Sequence, residues 1–524
     1  MKMDVTRYPI GLQNFRQLRE DQMLYVDKTE YIYRLVSGGS RYIFLSRPRR
    51  FGKSLTISVL EEYFKGHREL FQGLKIDSLQ QGVWPEHSIF HIDFNAQNYH
   101  EPDALVNFLN DQLSYWEENY GKRETEKNIT QRFLGVIQRA ALKTGRGVVV
   151  LVDEYDKPLL DVVENPEILE ANRQMLKSFY GGLKSAQAHL RFVMLTGVGK
   201  IAQLNVFSGL NNIRDISMDM EYSGLCGITK NELQSVLEPG VSQLADQMGI
   251  SLGEAYEKLK NFYDGYHFAP DFLDVYNPFS LLNALQSKNL ISFWYATGTP
   301  TFLVKALRDN DTPISYISNC QCSSDELYNG DVLGMNLAVI LYYSGYLTLK
   351  SYDAEFDEYT LGYPNQEVTK GFVKGLLPLV SHLSEAKTSS LISAMSRAVR
   401  DNRIGDFLET MKIFMANPDY QVIDANEYHY QDVIYCISKL IGFDARLEYH
   451  TAEGRIDMTL FTKTHIYIFE FKLDKSAKIA ISQINRKEYD LPFRSDGRKI
   501  VKIGVNFNSE TRNISDWQIL EERD

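Results

Sequence analysis

The chain has 524 residues, too many for one core, and at about 150 residues per domain it divides into about three pieces. Its 44% hydrophobic and 24% charged content predict packed domains throughout. A formal net charge of -11 excludes wholesale polyanion binding and leaves only local basic patches to meet a phosphate backbone.

The opening segment, "MKMDVTRYPIGLQNF", lacks the apolar stretch of a signal peptide, and no run of 18 apolar residues follows anywhere, so a cytoplasmic protein without membrane contact is expected. Four cysteines (226, 320, 322 and 436) make no disulfide framework and suit a reducing compartment. Cys320 and Cys322 have no nearby histidine or second cysteine pair to complete a zinc site, and read as small buried residues.

From 42 to 196, short apolar runs alternate with helical patterns. "YIFLS" (42–46), "SIFHIDF" (88–94), "GVVVLVDE" (147–154) and "LRFVMLT" (190–196) read as strands buried on both faces, with helices such as "SLTISVLEEYFKG" and "DALVNFLNDQLSYWEENY" between them. That order predicts a parallel α/β sheet.

The first strand runs into Arg47-Pro48-Arg49-Arg50-Phe51-Gly52-Lys53-Ser54, and a helix follows at once. A phosphate-binding loop needs this placement, since backbone N–H groups turn inward on the phosphates, the lysine neutralises them and the Ser/Thr hydroxyl holds Mg²⁺. Arg49, Arg50, Phe51, Gly52, Lys53 and Ser54 are the candidate nucleotide-binding residues; only the first glycine is missing, replaced by Arg47. An arginine fits there only if its backbone avoids positive φ or tolerates strain. The strand ending in Asp153-Glu154 supplies the second acidic element: Asp153 to hold Mg²⁺, Glu154 to polarise a water against the γ-phosphate. Thr196, ending the next strand, is a candidate γ-phosphate sensor, and Arg214 a candidate arginine finger.

Together "YVDKTEYIYRLV", "FLSRPRRFGKSL", "LVDEYDKP", "TGVGKI", "FSGLNNIRD" and "VYNPFSLLNAL" resemble the AAA-ATPase-like family of bacterial proteins, whose loop commonly reads RPRRFGKS. The resemblance covers roughly residues 5 to 300 and implies an ATP-binding P-loop module with additional central strands.

From about 230 to 400 longer helical periodicities take over ("NELQSVL", "GEAYEKLKNFYDGY", "NPFSLLNALQS", "LISAMSRAVRDN"), predicting a helical middle region. Within it, His267 of "YDGYHF" reads as part of a packed aromatic turn rather than a ligand.

From about 425 the order is a helix ("EYHYQDVIYCISKLIGF"), three strands ("DARLEYH", "RIDMTLFT", "HIYIFEFKL"), a helix ("AKIAISQINRKEYD") and a last strand ("KIVKIGVNF"), a compact α+β domain. Period two puts Glu470 and Lys472 on one strand face, and the neighbouring strand can bring Asp457 beside them. Two carboxylates and a lysine suit phosphodiester hydrolysis, the acids holding Mg²⁺ and the lysine orienting the nucleophile or neutralising the phosphate.

This pattern resembles the PD-(D/E)XK nuclease superfamily over residues from about 400 to 524, with Ile456 where the name has proline. The resemblance implies a restriction-endonuclease-like fold, adds Glu427 as a further metal ligand and Gln483 as a further catalytic residue, and makes nucleic acid, DNA foremost, the partner. The basic run Lys472–Lys502, nine Lys/Arg against four Asp/Glu, suits a phosphate backbone. The expected multidomain α/β chain therefore has a P-loop NTPase parallel sheet at 1–230, a helical middle at 231–400 whose first part continues the ATPase-like module to 300, and a nuclease-like domain at 401–524. The function expected is an ATP-regulated, Mg²⁺-dependent nuclease, with room for a homo-oligomer. The alternative is a nucleotide-dependent signalling or assembly switch whose last domain binds nucleic acid without efficient cleavage.

Overall fold

The computed structural model describes residues 4, 6–84, 86–199, 212–294, 317, 319–329, 336–381, 385–416, 433–435, 437–439, 441, 443–451 and 454–521, in two compact units. The first unit comprises Met1–Trp294 with Cys320–Asn365, and the second Tyr295–Asn319 with Gln366–Asp524.

The four apolar runs form strands β1 (Tyr42–Ser46), β2 (Ile89–Asp93), β3 (Val148–Asp153) and β4 (Leu190–Gly197), joined at one edge by the two-residue β5 (Arg214–Asp215). The sheet is parallel throughout, in the order β2-β3-β4-β1-β5, so β4 lies between the strand that feeds the phosphate loop and the strand that ends in Asp153. Parallel strands bring all their C-terminal ends to one edge, and there the segments after β1, β2, β3 and β4 gather. One face carries Phe44, Phe90, Ile92, Val148, Val150 and Val152 against the helices Ala104–Tyr120, Ile129–Thr144 and Pro166–Ser185. Stacked rings knit these layers: Phe90 on Trp116 at 4.4 Å and Phe133 on Phe179 at 4.3 Å. The helix Lys53–Phe64, which follows the phosphate loop, packs on the same sheet beside β3 and β4.

The middle region has its expected helices, among them Lys230–Val236, Glu238–Met248, Leu252–Tyr263, Pro278–Ser287 and Glu385–Arg400. It also contains short antiparallel pairings that periodicity did not announce. β6 (Ile228–Thr229) pairs with β7 (Val275–Tyr276), and β8 (Cys320–Ser323), β9 (Thr348–Asp353) and β10 (Glu358–Gly362) form a three-stranded sheet. Cys320 and Cys322 are buried on β8, while Cys436 lies outside the described residues. His267 bonds the Leu349 carbonyl and Asp274 (2.7 Å each), a structural tie.

The second unit ends in a five-stranded sheet in chain order: β11 (Asp444–Thr451), β12 (Gly454–Phe461), β13 (His465–Leu473), β14 (Lys499–Asn508) and β15 (Asn513–Glu521). Only β13 and β14 are parallel, linked through the helix Ala477–Arg486. β14 was expected to be the last strand; β15 follows it, a half-exposed edge strand. Gly504 on β14 lets that helix settle onto the sheet, since a Cβ there would overlap the Ala477 carbonyl. Among the described residues no helix is long and apolar enough to cross a membrane.

The Ala104–Tyr120 and Ile129–Thr144 helices are cross-tied by Arg132, whose guanidinium takes Glu117 at 2.8 and 2.7 Å, Asn110 at 2.6 Å and Ser114 at 3.1 Å, both charged side chains being buried. Removing one member of such a pair strands the other charge. Arg132→Ala is expected to destabilise the first unit by about 3 kcal/mol, read as a fall in its thermal unfolding midpoint.

Candidate functional site

At the C-terminal edge of the parallel sheet, residues 47–52 turn from β1 into the helix Lys53–Phe64. The left-handed conformations of this turn fall on Arg50 (φ 68°) and Gly52 (φ 99°), not on Arg47, so the missing glycine leaves no strained residue in its place. The helix start has no side-chain cap and no acid in its first turn, leaving its N–H groups and dipole for an anion.

Lys53, only 3% exposed, points its amine at the Arg47 carbonyl (3.0 Å), the Pro48 carbonyl (3.4 Å) and Glu154 Oε1 (3.1 Å). Glu154 is itself left-handed (φ 51°), strain of the kind that collects at working sites. Asp153 is held by the Thr196 hydroxyl, which donates to its Oδ1 at 2.5 Å, and by the Glu154 N–H at 3.1 Å. Lys53, Ser54, Arg49, Arg50 and Glu154 line a cleft of about 520 Å³, a size usual for small-molecule sites.

Three expected ligands behave differently from the sequence reading. Thr196 is fully buried and gives its hydroxyl to Asp153, so it positions that carboxylate instead of standing in the cleft. Phe51 packs against Tyr266 (4.8 Å) and Phe268 (5.2 Å), and the Arg50 guanidinium lies 3.8 Å from the centre of the Phe279 ring. Arg214 is engaged by Asp219 at 2.6 Å and Glu221 at 3.3 Å, on its own side of the sheet edge.

The structure adds residues that the motifs did not point to. Asp93, directly across from Asp153 in register, and Asn95 also line the cleft. On the other side of the loop an apolar cavity lined by Tyr25, Val26, Ile32, Val59, Ile228 and Pro278 shares Gly52 and Leu55 with the polar cleft. At about 100 Å³, and lined mostly by buried core side chains, this cavity is a packing void smaller than a nucleobase.

Asp156 fastens the segment after β4, its Oδ2 accepting the N–H groups of Val198 (2.9 Å) and Gly199 (3.0 Å) while its buried Oδ1 has no hydrogen-bond partner among the described residues. Burial first, and the Glu154 charge second, push its carboxyl up to about 7.

In the second unit β13 is the middle strand, with Glu470 and Lys472 both buried on the face that carries Ile466, Ile468 and the helix residue Ile484. An exposed edge strand is thereby excluded. The backbone of Phe471 gathers the site: its N–H donates to Asp457 Oδ2 at 2.7 Å, and its carbonyl accepts the Lys472 amine at 2.7 Å. Lys472 also bonds Glu470 Oε1 at 2.7 Å. Tyr489, a buried phenol whose pKa is raised first by burial and then by the charges of Glu470 and Asp457, stands near Gln483 of the covering helix. Gly454 leaves room for that phenol: a Cβ there would stand 3.2 Å from the hydroxyl. Glu427 lies outside the described residues. The basic run is not one cationic face, because Lys502 and Arg494 pair with Asp490 and Arg498 with Asp496.

Residues 9–207 match the family model described as a predicted AAA-ATPase, and residues 425–517 match one of the PD-(D/E)XK nuclease superfamily. The "Uncharacterized protein in vnfD 5'region" of Azotobacter chroococcum mcd 1 is 34% identical over 530 residues, covering 98% of each chain. The chain belongs to the AAA-ATPase-like family and carries a C-terminal PD-(D/E)XK nuclease superfamily domain. A solved structure, the Aeropyrum pernix ORC2 protein in ADPNP-ADP complexes, matches 69% of this AAA-ATPase-like chain and 94% of its own at 12% identity, with a TM-score of 0.25.

An acid raised in the folded state keeps its proton where the unfolded chain has already released it, so its stabilising contribution is complete below the unfolded value near 3.8 and is lost as pH rises through about 7. Asp156→Asn keeps an acceptor and cannot ionise. The thermal unfolding midpoint of the wild type is expected to fall relative to that of Asp156→Asn between pH 5 and pH 8, measured by calorimetry at both.

Proposed function

We propose that the chain binds and hydrolyses ATP and uses it to regulate Mg²⁺-dependent phosphodiester hydrolysis of nucleic acid, DNA foremost. In the first unit, Lys53 and the N–H groups of residues 49–54 take the phosphates, Ser54 and Asp153 are the oxygen donors for Mg²⁺, and Thr196 keeps Asp153 in place. Glu154 takes a proton from the water that attacks the γ-phosphate. Its ion pair with Lys53 gives way when the phosphates draw the lysine toward themselves.

The observation that carries the nuclease half is the gathering of Asp457, Glu470 and Lys472 about the backbone of Phe471. Two carboxylates against one ammonium leave negative charge in a buried place, and the donors are all oxygens, which suits a hard divalent cation. When bound, Mg²⁺ supplies Lewis acidity for water and for the developing charge on phosphate. Lys472 holds its amine against Glu470 and the Phe471 carbonyl, placed to neutralise the phosphate or orient the attacking water. Tyr489 stands near the same carboxylates, and Gln483 and Glu427 are assigned from the family pattern as a further catalytic residue and a further ligand. Coupling operates through nucleotide-dependent change in the first unit that repositions the nuclease domain or moves it along DNA.

The test is cleavage of labelled linear and circular DNA by purified full-length protein with Mg²⁺, with and without ATP, beside Lys472→Ala and Lys53→Ala. Cutting that falls about 100-fold or more in Lys472→Ala, and loses its ATP response in Lys53→Ala, is expected. Equal cutting by wild type and Lys472→Ala, or none by the wild type under any condition, would overturn the nuclease reading.

A further inference from the structure

A phosphate loop ordinarily opens on glycine for conformational freedom. Position 47 has no use for it: Pro48 follows, and the residue before a proline is pushed to the extended region that any L-residue adopts. The side chain present instead is a buried arginine, 1% exposed, with a definite set of partners. Its Nη1 donates to the carbonyls of Ser46 (2.9 Å) and Ser217 (2.6 Å), its Nη2 to that of Tyr222 (3.3 Å), and its guanidinium lies 4.3 Å from the centre of the Phe268 ring.

The main chain of the same residue joins two other parts. Its N–H donates to the Gly197 carbonyl at 3.2 Å, and its carbonyl receives the Lys53 amine at 3.0 Å. Phe268 also packs against Phe51, so the first and fifth residues of the loop stand on one ring. An arginine suits this place for a geometric reason: a planar fork can reach three carbonyls and lie on a ring at once, which a point ammonium cannot.

We propose that Arg47 is a positioning residue of the nucleotide site, a strut that fixes the phosphate loop on the 217–222 segment and Phe268 and, through its own carbonyl, fixes the place of the Lys53 amine. This rests on the nucleotide-binding reading above. Arg47 touches no phosphate itself and acts through Lys53. The strut also makes the loop answerable to its surroundings, since a shift of Phe268 moves both ends of the loop.

The experiment titrates a fluorescent ATP analogue into full-length wild type, Arg47→Gly, Arg47→Lys and Phe268→Leu, and into Lys53→Ala with and without Arg47→Gly, with unfolding midpoints recorded alongside. Arg47→Gly, despite restoring the usual glycine, and Arg47→Lys are expected to bind about tenfold more weakly while still folded, with Phe268→Leu in the same direction. Adding Arg47→Gly to Lys53→Ala should cost nothing further, a result that loss of general stability would not give. Affinity within about twofold of wild type in Arg47→Gly, or a full additional loss on top of Lys53→Ala, overturns the proposal. Should Arg47→Gly not fold, equal affinities of Arg47→Lys, Phe268→Leu and wild type overturn it. Wild-type protein that does not bind the analogue overturns the nucleotide reading itself.

Discussion

The buried amine of Lys53 ties the ATPase-like site together. It closes on two carbonyls of its own loop and on Glu154 at the end of a strand two places away in the sheet. A lysine this deeply buried must be compensated, and the compensation joins β1 to β3 across β4. The surrounding hydrogen bonds extend the same cross-linking: Thr196 from β4 holds Asp153 of β3, and Asp156 holds the N–H groups that follow β4. Phosphates arriving at the helix start would meet an amine already in place, and would have to outbid a carboxylate for it.

The second site is built by a related device. One residue, Phe471, offers its N–H to an acid and its carbonyl to a lysine, so the two ends of the charge set are spaced by covalent geometry and not by side-chain packing alone. Position in the middle of the sheet keeps Glu470 and Lys472 from water, and the segment just past the covering helix brings Tyr489 near them. Each site thus sits where the fold supplies backbone groups at fixed positions, and each buries a lysine–carboxylate pair.

Much of this was legible in the sequence where physics is local. Four runs of apolar residues gave four strands within a residue or two, three of them buried on both faces; the expectation failed for β2, which lies at the sheet edge with His91 half-buried and Asp93 exposed. Lys53, Ser54, Asp153 and Glu154 followed from a loop and a strand end in the expected order. The edge strand β15 escaped because it is half exposed, and "NISDWQILE" carries no sustained apolar run. The strands β8, β9 and β10 escaped for the same reason, being short and rich in polar residues. Side-chain direction was the other gap. Motif position assigns Phe51 and Thr196 to a phosphate, yet an aromatic cluster takes one and a carboxylate the other. Asp93, Asp156 and Tyr489 become visible only through strand register and tertiary contact.

The most direct test of the account is single-turnover release of phosphate from ATP by Glu154→Gln beside the wild type, with ATP affinity measured on the same preparations. If Glu154 both pairs with Lys53 and serves as the base for water, the variant binds ATP at least as tightly as wild type and releases phosphate about 100-fold or more slowly. Phosphate release within a few-fold of wild type would contradict the assignment of Glu154 and, with it, the reading of the Lys53–Glu154 pair as a hydrolytic site at rest.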